Sequence, residues 1–261
     1  MPSTSKIDVG DASIEFLSDG AGAPVVLIPG GGIDASYFGE LARRIARAGF
    51  HTVAINPRGT GASTGRLEGL TLHTLAADVA AVIEALGSAP AHLVGHGLSN
   101  RVARCVAVDR RDLVRSVVLL AGVGLMAPDP EVIKALQAWF REDTTEAECL
   151  EATKRLVGDP ATAHHVFRQV KRWPAGAAAQ RAANRATPQD DWMEPPEQVP
   201  FLVVQGLKDR VAPPEHGYRF REQLGPRVQV ADIAGAGHMV FLEQPESVAD
   251  AVVAFLRLQT A

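Results

Sequence analysis

The chain has 261 residues, 46% of them hydrophobic, enough to bury one large core but short for two full domains. A net charge of −4 with no basic run gives nucleic acid no electrostatic foothold, and no run of about 18 apolar residues offers a membrane span. Residues 1–9 lack the apolar region of a signal peptide, and two cysteines, Cys105 and Cys149, make no disulfide framework, so the expected compartment is the cytoplasm.

Taken in order, residues 6–9 and 13–17 flank Gly10-Asp11 and predict a hairpin. The apolar run 25–28 predicts a strand ending in Pro29-Gly30-Gly31-Gly32. Residues 37–48 place Phe38, Leu41, Ala42, Ile45 and Ala46 at helical spacing, stopped by Gly49. A strand over 52–55, a loop over 56–61, a helix over 72–86, a strand over 92–94, a helix over 99–108 and a strand over 116–120 follow. Towards the end, strands over 201–204 and 228–231 alternate with helices over 215–224 and 245–258. Short, nearly all-apolar strands separated by helices predict an α/β architecture with a mostly parallel, doubly wound sheet covered on both faces.

Between the strands at 116–120 and 201–204 the rhythm breaks. Helical segments are expected near 131–141, 146–157 and 161–172, with breaks at Pro160, Pro174 and Pro188. Roughly 75 residues is too long for a simple connection. Residues 123–199 therefore read as a helical lid over the carboxyl edge of a core built from 1–122 and 200–261. Trp139, Phe140, Trp173, Trp192 and Met193 are candidates to line a pocket from above, or else to fill the lid's own small core.

Ligands of such sheets bind beyond the carboxyl ends of the strands. Gly95-His96-Gly97-Leu98-Ser99 follows one strand and opens a helix, the setting of the sharp G-x-S-x-G turn that presents a nucleophile. Gly95 and Ser99 supply the small flanking residues. The central residue is Gly97, which has nothing to attack with. Other strands are followed by Gly206-x-x-Asp209-x-x-x-Pro213, by Gly235-x-Gly237-His238-x-x-x-x-Glu243-x-Pro245, and by Asn56-Pro57-Arg58-Gly59-Thr60-Gly61-Ala62-Ser63. On these motifs, from about residue 14 to 258, the chain resembles the α/β-hydrolase fold superfamily, with Asn56 where that family has Asp and Gly97 at the nucleophile elbow.

The resemblance implies that His238 is the general base and that Asp209 orients it and stabilises its charged form. It implies an oxyanion hole from the backbone N–H groups of Gly31 and Leu98, with Pro29-Gly30 in place of the family's His-Gly. Gly32, His96, Trp139, Trp173, Trp192 and Met239 are the expected pocket residues. The expected partner is a small-molecule substrate, with no nucleic acid and no membrane; no cofactor and no metal are expected, and the oligomeric state is not legible. Ser99 is a poor replacement nucleophile, because Arg101 would then occupy a position that must be small, and Ser99 is expected to cap the helix. A dinucleotide reading of Gly30-x-Gly32-x-x-Ala35 leaves Asp209 and His238 without a role. His164 and His165, adjacent on a helix, face apart, and the spacing of His92 and His96 on a strand and its turn does not bring them together.

Three functions stay open. One is an enzyme using the His238–Asp209 pair as general base without a covalent nucleophile, on a small, largely apolar ester, lactone or acidic O–H or C–H compound. Within the fold superfamily such pairs serve cofactor-free oxygenation, C–C cleavage and cyanohydrin cleavage. The others are a non-catalytic binding protein and a serine hydrolase whose elbow serine has been replaced by Gly97.

Overall fold

A computed structural model describes residues 2–122, 124 and 129–260. The hairpin forms as expected: β1 (Ser3–Val9) and β2 (Ala12–Gly20) pair antiparallel. Then come β3 (Pro24–Ile28), a 3₁₀ turn at Ala35–Phe38, α1 (Gly39–Arg47), β4 (His51–Ile55), α2 (Leu72–Leu86), β5 (Ala91–His96), α3 (Ser99–Asp109) and β6 (Val114–Leu120). After β6 lie α4 (Pro130–Trp139), α5 (Glu146–Thr153), α6 (Ala163–Gln169), α7 (Pro174–Ala186) and α8 (Asp190–Met193). The chain closes with β7 (Phe201–Gly206), α9 (Glu215–Leu224), β8 (Val228–Ile233), α10 (Val240–Glu243) and α11 (Pro245–Leu258). None of these helices is long and apolar enough to cross a membrane.

The eight strands form one sheet in the order β1-β2-β4-β3-β5-β6-β7-β8. β2 runs antiparallel to β4, and the pairs from β4 through β8 are parallel. The alternation of the pleat sorts the apolar runs onto two faces. Val25, Leu27, Val94, Val118 and Leu120 join one core cluster, which α1 and α11 cover; Val26, Ile28, Leu93, Val117 and Leu119 join the other, beneath α2 and α3. The chain leaves β3 towards β4 on one side and returns to β5 on the other. The loops after β3 and β5 therefore part at the carboxyl edge and open a crevice between them.

In the inserted segment Pro174 starts a helix where a break is expected, and the helices expected over 146–157 and 161–172 are shorter, at Glu146–Thr153 and Ala163–Gln169. Pro174 occupies the first turn of α7, where the missing N–H costs nothing and the fixed φ suits the helix. Among the described residues, most of the insertion's buried apolar side chains join the two clusters of the sheet. Val132, Ala135 and Trp139 of α4 and Cys149 of α5 extend one face's cluster, while Ala179 and Ala183 of α7 and Trp192 and Met193 of α8 extend the other.

Two polar ties hold the loop after β4. Asn56 accepts from the Ala35 backbone N–H at 2.7 Å and donates to Glu15 Oε2 at 2.6 Å. An aspartate there would face a second carboxylate, which explains the amide. Arg58, 4% exposed, meets both carboxylate oxygens of Asp78 on α2, at 2.6 and 2.8 Å, and Asp11 at 2.6 Å. Removing Asp78 strands a buried guanidinium. Asp78→Ala is expected to cost about 3–5 kcal/mol in urea unfolding, and Asp11→Ala, at the half-exposed end of the same network, about 1 kcal/mol or less.

Candidate active site

β5 ends at His96 and α3 begins at Ser99, so the whole turn is Gly97-Leu98. A Cβ at Gly95 would stand 2.7 Å from the Ser99 carbonyl oxygen; glycine is what lets the helix start that close to the strand. Gly97 has φ +54°, the left-handed conformation in which a side chain is strained. A Cβ built on it would lie 3.3 Å from His238 Nε2. The side-chain direction at position 97 is thus aimed at the imidazole.

Ser99 does not cap α3. Leu98 holds the cap position, and the Ser99 hydroxyl, buried, donates to the Pro29 carbonyl at 2.5 Å. It ties the elbow to the loop after β3 and has no freedom to attack. Cys105 is buried within α3, and that burial pushes its thiol up to about 12, far from a nucleophilic thiolate.

His238 is placed by four elements. Its Nδ1 is 3.0 Å from Asp209 Oδ2, while Asp209 Oδ1 accepts from the N–H groups of Val211 and Ala212 at 2.8 and 2.9 Å. With every Asp209 contact a donor, the imidazole carries its proton on Nδ1 and turns a lone pair on Nε2 towards Gly97. The His238 N–H donates to the Leu156 carbonyl of the inserted segment at 2.7 Å, and its carbonyl accepts from His96 Nε2 at 3.0 Å. Next to it, Glu243 accepts from the N–H groups of Gly237 and Gly158, stapling the histidine loop to the insertion; burial raises the carboxyl pKa against those bonds.

His96 belongs to a buried chain. The Gly30 N–H donates to Tyr37 Oη at 2.7 Å, so the Tyr37 hydroxyl donates to His96 Nδ1 at 3.0 Å, and His96 Nε2–H donates onward to the His238 carbonyl. Gly30 is thereby occupied. Gly32 gives its N–H to Gln180 Oε1 at 3.2 Å, and Gly97 gives its own to the Leu120 carbonyl at 3.1 Å. Gly31 and Leu98 are left: neither N–H meets an acceptor among the described residues, and both residues border the same cavity.

That cavity measures about 480 Å³. Gly97, Leu98, His96, His238 and Met239 border it, and Ile133, Leu136, Trp139 and Phe140 of the inserted segment face it. Three expected pocket residues lie elsewhere. Gly32 is pressed against α7, where a Cβ would come within 2.2 Å of the Ala177 Cβ. Trp173 is 37% exposed, its backbone N–H on the Gly32 carbonyl and its indole on Asp34 Oδ2 at 3.3 Å. Trp192 packs under the guanidinium groups of Arg101 and Arg104, at 5.0 and 4.5 Å from its ring, on the flank of α3. Of the three tryptophans only Trp139 borders the cavity. Tyr37, Gln180 and Glu243 were not singled out from sequence. Glu243 stood inside a quoted motif, but Tyr37 and Gln180 carry no local signal. Among the described residues no cluster of three metal-ligating side chains occurs.

Burial, with His238 nearby, pushes His96 down to about 3, and burial with Arg115 nearby pushes His92 down to about 4. Unfolded, both return to the ordinary value of 6.5. Between those values the unfolded chain binds protons that the folded chain does not, so stability falls as pH drops below 6.5. Each histidine contributes a slope of up to about 1.4 kcal/mol per pH unit. Urea unfolding from pH 7 to pH 5 is expected to show this loss, with a shallower slope in His96→Gln; equal slopes in the two proteins contradict the buried neutral histidine.

A model of the alpha/beta hydrolase family matches residues 25–251. BpoC of Mycobacterium tuberculosis (strain H37Rv), named as a non-heme bromoperoxidase, is 28% identical over 256 residues, covering 93% of this chain and 97% of its own. Its crystal structure superposes with a TM-score of 0.79 at 26% identity, over 95% and 97% of the two chains. Rhodomycin D methylesterase DauP of Streptomyces sp. (strain C5) is 28% identical over 94% of this chain and 95% of its own. A thermophilic esterase from Thermogutta terrifontis shares the fold, with a TM-score of 0.78 at 23% identity over 99% and 100% of the chains. With the sheet order and the family match in agreement, the chain belongs to the alpha/beta hydrolase family.

Proposed function

We propose that this chain is a hydrolase-fold enzyme that uses His238 and Asp209 as a general base without a covalent nucleophile, on a small, largely apolar substrate. One observation carries the reading. The Nε2 lone pair faces Gly97, where a side chain would begin 3.3 Å away, and the two unengaged N–H groups of Gly31 and Leu98 border the same space. A water molecule or a substrate O–H placed there gives its proton to Nε2. The Asp209 carboxylate then stabilises the imidazolium across the 3.0 Å contact. If an ester or lactone carbonyl is attacked, the oxygen gaining charge meets the Gly31 and Leu98 donors, each such donor contributing roughly 3–4 kcal/mol to an acyl-transfer transition state. Ester cleavage, the reaction in the name of the relative DauP, fits this arrangement. Residues 123–199 serve as the lid, with Trp139 and Phe140 giving the substrate an apolar wall.

Replacing the elbow serine of a working hydrolase removes about 10⁶ in kcat, so the direct route is slow on substrates suited to acyl-enzyme chemistry and shows no burst. A panel of p-nitrophenyl esters and small lactones tests this. Turnover is expected without a burst and without an acyl adduct in the intact mass. His238→Ala is expected to lose about 10²–10⁴ of the rate. Gly97→Ala is expected to lose about tenfold or more, because its methyl group takes the place of the attacking oxygen. Turnover that survives His238→Ala overturns the reading. So does a parent inactive throughout the panel beside a Gly97→Ser variant that is a strong, acyl-forming esterase.

A further inference from the structure

We infer that the cavity at Gly97 recognises an organic carboxylate, whose anionic end is held by Arg101 with Arg181 beside it. This rests on the reading that the cavity is the substrate site, and it names the class of substrate.

Three arginines border the cavity. Arg141 is neutralised by Asp143, with its Nε and Nη2 at 2.8 and 3.0 Å from the two carboxylate oxygens. The other two meet no carboxylate among the described residues. Arg101, half-buried in the first turn of α3, reaches the neutral amide oxygen of Asn184 on α7 and lies over Trp192 at 5.0 Å. Arg181, one turn before Asn184 on α7, lies over Phe140 at 5.3 Å. No Asp or Glu borders the cavity, and the seven residues outside the described set carry no acidic side chain. A half-buried guanidinium without a counter-charge is unfavourable, and burial accordingly lowers the proton affinity of both groups. Arg101 also sits at the positive end of α3, where a cation is disfavoured and an anion welcome.

A carboxylate is an acceptor-only group with about four lone-pair sites, so it offers what the two arginines lack. The remaining wall, with Ile133, Leu136, Phe140, Val211 and Met239, calls for hydrocarbon in the rest of the molecule. Gly124 leaves the guanidinium its place, since a Cβ there would stand 2.9 Å from Arg101 Nε and Nη2.

The test compares 4-phenylbutanoate with its neutral, isosteric amide by isothermal titration calorimetry at pH 7.5. The acid is expected to bind the wild-type chain about tenfold or more tightly than the amide. The double variant Arg101→Gln/Arg181→Gln should bind the two alike, Arg101→Lys should keep a preference for the acid, and His238→Ala should keep it in full. The proposal is overturned if the wild-type chain fails to bind the acid or binds it no better than the amide, if the double variant retains the preference, or if His238→Ala loses it, since the anion would then sit on the base. A preference for the acid in a chain that turns nothing over leaves this inference standing and defeats the catalytic reading. Turnover of neutral esters that depends on His238, without the preference, does the reverse.

Discussion

The position of one imidazole governs the site. His238 sits on a loop after β8, and a loop has no ladder to hold it. It is held by the Leu156 carbonyl on its N–H, by His96 on its carbonyl, by Asp209 on its ring and by Glu243 on the preceding residue. Each contact comes from a different part of the chain. The strands supply the frame, because the ends of β5, β7 and β8 fall on one edge, but the final aim of Nε2 is a matter of hydrogen bonds between loops. The inserted segment therefore helps to fix the position of His238.

The elbow shows what a glycine changes. A residue at φ +54° carries strain when it has a side chain, and serine nucleophiles accept that strain for reactivity. Gly97 relieves it and leaves the backbone path intact, so the turn still presents Leu98 N–H and still places position 97 opposite His238. On the proposed reading, charge stabilisation and proton transfer need only these parts, and covalent attack is not used. The neighbouring donors are spent on structure, Gly30 on Tyr37 and Gly32 on Gln180, which leaves the pair at Gly31 and Leu98 available.

Electrostatics divide the cavity. At its elbow end lie the buried His96 and the His238 imidazole, held by a buried carboxylate. Elsewhere an apolar wall is interrupted by Arg101 and Arg181, which pair with aromatic rings and an amide rather than with acids. Arginine tolerates such surroundings better than lysine, because its charge is delocalised and weakly hydrated and it stacks on rings. The balance of the pocket is positive, although the chain as a whole carries a net charge of −4.

How much of this was legible in the sequence follows from the range of each interaction. The doubly wound sheet, the elbow at Gly95–Ser99, Asp209 and His238 announce themselves locally, because a strand's apolar run, the glycines of a tight turn and the residue presented at its tip are neighbours in the chain. Asn56 in place of an aspartate was visible too, but its reason, Glu15 across the sheet, was not. Nothing local separates Trp139, which borders the cavity, from Trp173 and Trp192, which do not: each stands in or beside an amphipathic helix, and only the docking of α4 at the carboxyl edge and of α8 on the flank of α3 distinguishes them. The Tyr37–His96 chain, the Glu243 staple on Gly158 and the carbonyl that binds the Ser99 hydroxyl join residues 59, 85 and 70 positions apart, and the absence of a counter-charge at Arg101 depends on everything around it. The sequence by itself determined the fold and marked Gly97, Asp209 and His238 at the carboxyl edge of the sheet, since turn chemistry and strand ends are short-range. Tertiary structure decided which groups aim them and what the cavity asks of a ligand, since those depend on packing between segments that no local pattern connects.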